Sequence, residues 1–145
     1  MEPSNPRNQL TAVDYRVDSL HFKHIKFQQT VGDIPVWGSY LTVHFNSSNA
    51  IYRISGRPYP GLDDINTSPA LTKQKAAEAA AHAGQEQSGD WQPGAVLLYV
   101  LPEESGAKLV YEVTVTKGLT RKFVFIDANS GQLVKTLSGT PTLQR

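Results

Sequence analysis

The stretch that decides the fold is Phe22-Lys23-His24-Ile25-Lys26-Phe27-Gln28-Gln29, a break at Gly32-Asp33, then Ile34-Pro35-Val36-Trp37-Gly38-Ser39-Tyr40-Leu41-Thr42-Val43-His44-Phe45-Asn46. In its first run Ile25 and Phe27 alternate with His24, Lys26 and Gln28, the two-residue period of a half-buried strand. Gly32 and Asp33 make a turn. The second run sets Trp37, Leu41, Val43 and Phe45 on one face and Val36, Tyr40, Thr42 and His44 on the other. Trp37 is therefore expected in the core beside Leu41 and Val43. Asn46, Ser47, Ser48 and Asn49 form turns through side-chain to backbone bonds, and Ile51 to Ser55 resumes a β-branched pattern. This reads as a hairpin ending at Gly56.

Working outward, Met1 to Asn8 is rich in Pro and Asn and reads as a frayed lead-in, with structure beginning near Leu10. On the other side, Arg57 to Pro69 contains Pro58, Pro60, Gly61 and Asn66, the best candidate for a module boundary. Thr72 can cap a helix in which Ala76, Ala79, Ala80 and Ala83 recur at helical spacing, with Leu71 before the cap and Gly84 at the stop. Alanine favours helix but buries little area, so this helix must lie close against a sheet. Ala95 to Leu101 reads as a strand and Pro102 to Ala107 as its turn. Lys108 to Thr116 has the clearest alternation, with Leu109, Tyr111, Val113 and Val115 facing one way. A turn near Gly118 leads to a strand over Arg121 to Ile126. Asp127 to Gly131 is another turn, before Gln132 to Leu137.

Composition limits the functions available. The chain has 145 residues, enough for one ordinary domain or two small modules sharing a core. Its 39% hydrophobic and 19% charged content is that of a folded protein. Fourteen basic and 13 acidic side chains are scattered, for a net charge of +1, which argues against an electrostatic nucleic-acid footprint. With no cysteine there is no disulfide framework, thiol nucleophile or Cys-based zinc site. No apolar run reaches the ~20 residues of a spanning helix, and no secretory leader is seen at the start.

The motif residues His24, Phe27, Gln28, Gln29, Gly32, Ile34, Pro35, Val36, Gly38 and Gly56 resemble the fungalysin/thermolysin propeptide motif, an aromatic-Gln strand followed by Gly-Ile-Pro-Val and a Gly. Two departures are Asp33, inserted between Gly32 and Ile34, and Ser48-Asn49 where Asn-Gly or Asp-Gly is usual. Leu71-Thr72 with Ala76 and Ala80, the run through Tyr111, and Phe125-Ile126-Asp127-Ala128-Asn129-Ser130-Gly131-Gln132-Leu133 resemble the PepSY domain. The two follow each other in this order in the pro-regions of thermolysin-like proteases, and together the resemblances span Leu10 to Leu137. They imply an α+β fold of two small modules: antiparallel β hairpins over 10–57, and a helix packed on an antiparallel sheet, cystatin-like, over 68–137. The ends 1–9 and 138–145 are expected to be flexible.

The function implied is that of a pro-region of a secreted zinc metalloprotease, an intramolecular folding chaperone and inhibitor whose partner is the catalytic domain of a cognate thermolysin-like protease. The chain itself is expected to be non-catalytic, an excised segment lacking its leader and its parent's catalytic domain, secreted or periplasmic, without cofactor, nucleic-acid partner or membrane span. The alternative is a free-standing secreted or periplasmic PepSY-type inhibitor or binding module. A reading frame running past Arg145 into His-Glu-x-x-His separates the two.

The remaining chemistry-bearing residues do not contradict this. A zincin needs two His four apart on one helix face with a Glu beside the first, and no His-Glu-x-x-His occurs. His21 and His24, three apart, point to opposite faces of a strand, so with His44 they read as sheet or surface histidines rather than metal ligands. Asp63-Asp64 and Glu103-Glu104 are adjacent carboxylates whose side chains diverge in loops. Neither a Gly-x-Ser-x-Gly elbow nor a phosphate-binding Gly-Lys-Ser/Thr is present. Tyr111 and Phe125 have core spacing. Trp91, beside Pro93 in an expected loop, is the candidate exposed contact. The tail, with Thr142, Leu143, Gln144 and Arg145, is the candidate segment for the partner's cleft.

Overall fold

The computed structural model describes residues 8–62, 64–82, 91–104 and 106–139. They form mostly β-sheet with one helix. They fall into two compact units, one drawn from Met1–Thr67 and Val100–Ala107, the other from Ser68–Tyr99 and Lys108–Arg145.

In the first unit, β1 (Asn8–Val17), β2 (Lys23–Val31), β3 (Ile34–Phe45) and β4 (Ile51–Gly56) are joined in sequence by antiparallel pairing. The β2–β3 connection is the two-residue turn Gly32-Asp33, with φ of 55° and 69°, the left-handed pair that suits the twist of a tight hairpin. Asp33 is thus the second turn residue. At the next turn Asn46 Oδ1 accepts from the backbone N–H groups of Ser48 (2.9 Å) and Ala50 (3.0 Å). Asn49 takes φ of 66°, filling the left-handed position that a glycine usually holds.

Two expectations need correcting here. A strand, β1, starts at Asn8, not near Leu10. Its side chains are nearly all exposed, and a bulge between Ala12 and Asp14 interrupts its alternation. Beyond the antiparallel pairing of β1 to β4, Val36 of β3 pairs in parallel with Val100 near the end of β5 (Gln92–Glu103). Finally, Trp37 is only half-buried while Val36 is fully buried. The cause is a register slip. Val31 opposes Ile34 and Thr30 opposes Pro35, yet Gln28 opposes Tyr40. The extra residues around Gly38, at φ of 75°, break the alternation assumed between Trp37 and Leu41.

In the second unit, α1 (Lys73–His82) packs on β7 (Thr120–Asp127), and β7 pairs antiparallel with both β6 (Gly106–Lys117) and β8 (Leu133–Ser138). Thr72 caps the helix as expected, its Oγ1 accepting from Lys75 N–H at 3.1 Å. Ala76 and Ala80 are fully buried, so the helix backbone comes close to the sheet. Tyr111, Val113 and Val115 of β6 are buried, as its alternation required, and so are the consecutive Val124, Phe125 and Ile126 of β7. Strand β5 is longer than Ala95 to Leu101, so Pro102 is a strand residue and Trp91 directly precedes the strand. Strand β8 ends at Ser138, and Gly139 N–H donates to Arg121 O at 2.8 Å, so pairing extends into the segment expected to be flexible. Gly84 and Ala83 lie outside the described residues.

Candidate functional site

Opposed residues of an antiparallel ladder share a face. In the first unit Tyr15 opposes Ile25, Ile25 opposes Val43 and Val43 opposes Ile54, giving an apolar row across four strands. A second row runs through Val17, Lys23, Phe45 and Ile51, and a third through Ala12, Phe27, Leu41 and Gly56. Tyr15 and Ile54 are 59% and 57% exposed. Val17 and Ile51 are also exposed, while Ile25, Phe27, Leu41, Val43 and Phe45 are half-buried. Contiguous exposed apolar surface on one sheet face marks an interaction site.

The opposite face is polar. Arg16, His24, His44 and Arg53 form one row. His24 Nε2 lies 3.0 Å from Asp18 Oδ2, His24 Nδ1 lies 2.7 Å from His44 Nδ1, and His44 Nε2 lies 2.8 Å from Ser55 Oγ. Asp18 also accepts from the backbone N–H groups of Leu20 (2.9 Å) and Phe22 (3.0 Å) through Oδ1. The His24 bond is the main reason its carboxyl sits below the usual range; desolvation opposes it and the two amide bonds add to it. Burial, then the charges of His24, Arg53 and Arg16, push His44 below the ordinary histidine value. The expectation that His24 and His44 are sheet residues fits their places in β2 and β3; their direct contact was not foreseen. His21 is exposed in the β1–β2 turn. Among the described residues no group of three or more His, Asp or Glu is placed to hold a metal.

The motif glutamines have structural work. Gln28 Nε2 donates to Val36 O (2.8 Å) and Ser39 O (3.2 Å), satisfying the carbonyls that the register slip frees. Gln29 is fully buried. Its Oε1 accepts from Ser39 Oγ (2.6 Å) and Tyr59 N–H (2.8 Å), and its Nε2 donates to Asn8 Oδ1 (2.8 Å) and Tyr59 O (2.9 Å). One amide thus uses all of its bonding capacity, two bonds to the sheet residues Ser39 and Asn8 and two that hold Tyr59 of the following loop against them. Gly56, at φ of 88°, lies so close to β3 that a Cβ would strike the Tyr40 carbonyl oxygen. Ile34 and Pro35 are half-buried partners of Val31 and Thr30 beside the tight turn.

The motif residues of the second unit converge on the entry to the helix. Tyr111 OH donates to Leu71 O at 2.8 Å, and burial raises its pKa. Ala70 and Leu71 N–H donate to Ala128 O at 3.1 and 2.9 Å. Asp127 Oδ1 accepts from Asn129 (2.8 Å) and Ser130 (2.9 Å) N–H, and Gly131 N–H donates to Asp127 O at 2.9 Å. Burial raises the Asp127 carboxyl, but those amides and the Lys108 charge outweigh it and leave the pKa low. Trp91 is half-buried, with Lys122 Nζ 4.9 Å from its ring centroid, so it is less open than a free contact residue. Asp64, Glu103 and Glu104 are exposed. Thr142, Leu143, Gln144, Arg145 and Asp63 lie outside the described residues.

The motif residues of both units are thus spent on holding strands, a loop and a helix entry. Residues 8–58 match the Fungalysin/Thermolysin Propeptide Motif and residues 70–137 the Peptidase propeptide and YPEB domain. The chain therefore carries this propeptide motif followed by a PepSY domain, and it is homologous to the propeptide regions of bacillolysin and thermolysin. It is 25% identical to Bacillolysin of Bacillus amyloliquefaciens, over 90% of this chain and 27% of that protein. It is 28% identical to Thermolysin of Alicyclobacillus acidocaldarius subsp. acidocaldarius, over 75% of this chain and 21% of that protein. The chain thus spans about a quarter of the length of the curated relatives it matches. Among solved structures, the Bacillus megaterium YpeB C-terminal domain aligns with a TM-score of 0.49 at 14% identity, over 89% of this chain and 56% of that one. Among the described residues no helix is long and apolar enough to cross a membrane.

Proposed function

We propose that this chain is the pro-region of a secreted or periplasmic zinc metalloprotease, acting as a folding template for the catalytic domain and then as its inhibitor. The observation that carries the reading is the succession of two propeptide-family matches, at residues 8–58 and 70–137. We assign module boundaries close to those matches, at 10–57 and 68–137, and a cystatin-like arrangement to the second. The partner is the catalytic domain of a thermolysin-like protease, and the first unit meets it with the apolar face around Tyr15, Ile25, Val43 and Ile54. A folding template must offer apolar surface to an incompletely folded partner, and that face offers it on a scaffold already held by its own hydrogen bonds. The tail from Gly139 to Arg145 reaches for the substrate cleft.

Inhibition of a thermolysin-type protease by the added chain tests this. The chain should inhibit, and Ile54→Asp, which places a charge on the exposed face, should weaken inhibition roughly tenfold or more without unfolding the first unit. Deleting residues 140–145 should also raise the inhibition constant. A chain that neither binds nor inhibits any such protease contradicts the reading.

A further inference from the structure

The polar face behind the apolar rows carries a counting problem in protons. Each imidazole has two ring nitrogens, and at 2.7 Å the two Nδ1 atoms of His24 and His44 can hold one hydrogen between them. With both rings neutral, His24 Nε2–H donates to Asp18, His44 Nδ1–H donates to His24 Nδ1, and Ser55 Oγ–H donates to His44 Nε2. With one added proton, His24 donates from both nitrogens and His44 turns over, donating from Nε2 to Ser55 Oγ. In both states every ring nitrogen has a partner. With two added protons, Nδ1–H faces Nδ1–H and the contact cannot survive.

The charged surroundings sharpen this. From β1, Arg16 opposes His24; from β4, Arg53 opposes His44. Asp18, after β1, is the carboxylate bonded to the pair. In the next row Asp14 opposes Lys26, whose Nζ lies 4.1 Å from the Tyr40 ring centroid. The Tyr52 ring is 6.0 Å from His44 and 5.3 Å from Phe22. A doubly protonated pair would therefore set two imidazolium charges between two guanidinium groups, with Asp18 the carboxylate in bonding contact.

We propose that Asp18, His24, His44 and Ser55 form a one-proton lock on the first unit, which a second proton breaks at the His24–His44 contact, loosening β2, β3 and β4 so that mild acid weakens their grip on a partner. The effect on a partner rests on the pro-region reading; the effect on the unit does not. The low pKa of His44 agrees in direction. A ring held below its unfolded value contributes stability that is complete above about pH 6.5 and drains away as pH falls through the folded value.

The test uses the two tryptophans, Trp37 in the first unit and Trp91 in the second. In a Trp91→Phe background, Trp37 fluorescence reports urea unfolding of the first unit. Its midpoint should fall by roughly 0.5 M or more between pH 7.5 and 5.5. His44→Gln should remove most of that fall, and His21→Asn should keep it. Because His44→Gln can fail to fold, histidine ring nitrogen NMR of the unaltered chain stands beside it. One ring of the pair should stay neutral while β2–β3 amide contacts persist, and become charged only as they vanish. Two charged rings with the contacts intact, or an equal fall in His44→Gln, overturn the lock. Inhibition of a thermolysin-type protease at pH 7.5 and 5.5 separates the two claims. Inhibition absent at both pH values, with the stability fall present, defeats the pro-region reading alone. Equal inhibition at both, with the fall present, defeats the acid-release step.

Discussion

The two units bury different things. In the second, the fully or nearly fully buried residues include Val110, Tyr111, Val113, Val115, Val124, Phe125 and Ile126, with Ala76 and Ala80 of the helix. In the first, the apolar set is Val31, Val36, Leu62, Val100 and Leu101, and the buried polar residues His24, Gln29, Thr30 and Ser39 are all there. Hydrophobic burial is non-directional and insensitive to pH; hydrogen bonds fix geometry and fail when one partner is lost. The second unit is thus held by area. The first is held by specific bonds, which leaves apolar side chains free to present outward and couples its integrity to protonation.

Substitutions can break this contrast. The largest loss is expected from Phe125→Ala, about 3–5 kcal/mol for truncating a fully buried aromatic, measured by urea unfolding through the Trp91 signal. Gly56→Ala should cost about 2–4 kcal/mol in the first unit, since it combines a left-handed backbone with a collision against the Tyr40 carbonyl. Gln29→Leu keeps the volume but strands the Tyr59 N–H and Ser39 hydroxyl. It should cost about 1–3 kcal/mol and expose the Arg57–Pro69 loop to limited proteolysis. The smallest effect is Thr72→Ala, about 1 kcal/mol at the helix cap, seen in the second unit and not in the first. If Gln29→Leu proved neutral, the claim that the first unit depends on its polar bonds would fail.

The sequence was most legible where burial is one-sided and regular. Strand β6 follows its period, and the helix starts where Thr72 caps it. Legibility ended at Gly38. Counting back from the Gly32-Asp33 turn sets His24 opposite Leu41; the register slip sets it opposite His44 instead. One irregularity therefore concealed the histidine contact, the burial of Val36 and the half-exposure of Trp37. The motif supplied a clue in Gln28 and Gly38, the side chain that caps the freed carbonyls and the residue that takes the left-handed turn. Ser55 and Tyr59 carried no signal, because their partners His44 and Gln29 are set by strand pairing and by the path of the loop; Asp18, in the turn before β2, bonds nearby residues. Strand β1 is hard to read in the sequence because it is exposed and bulged, although Val13, Tyr15 and Val17 alternate.

The proposed role of this chain is to guide a metalloprotease catalytic domain to its active fold and then hold it inactive. The most direct measurement is the yield of active enzyme when the denatured catalytic domain of the cognate protease is refolded with and without equimolar chain, the chain then being removed by proteolysis. A large gain in recovered activity is expected, silent while intact chain is in excess and released when it is cut. Equal recovery with and without the chain, together with full activity in its excess, would contradict it.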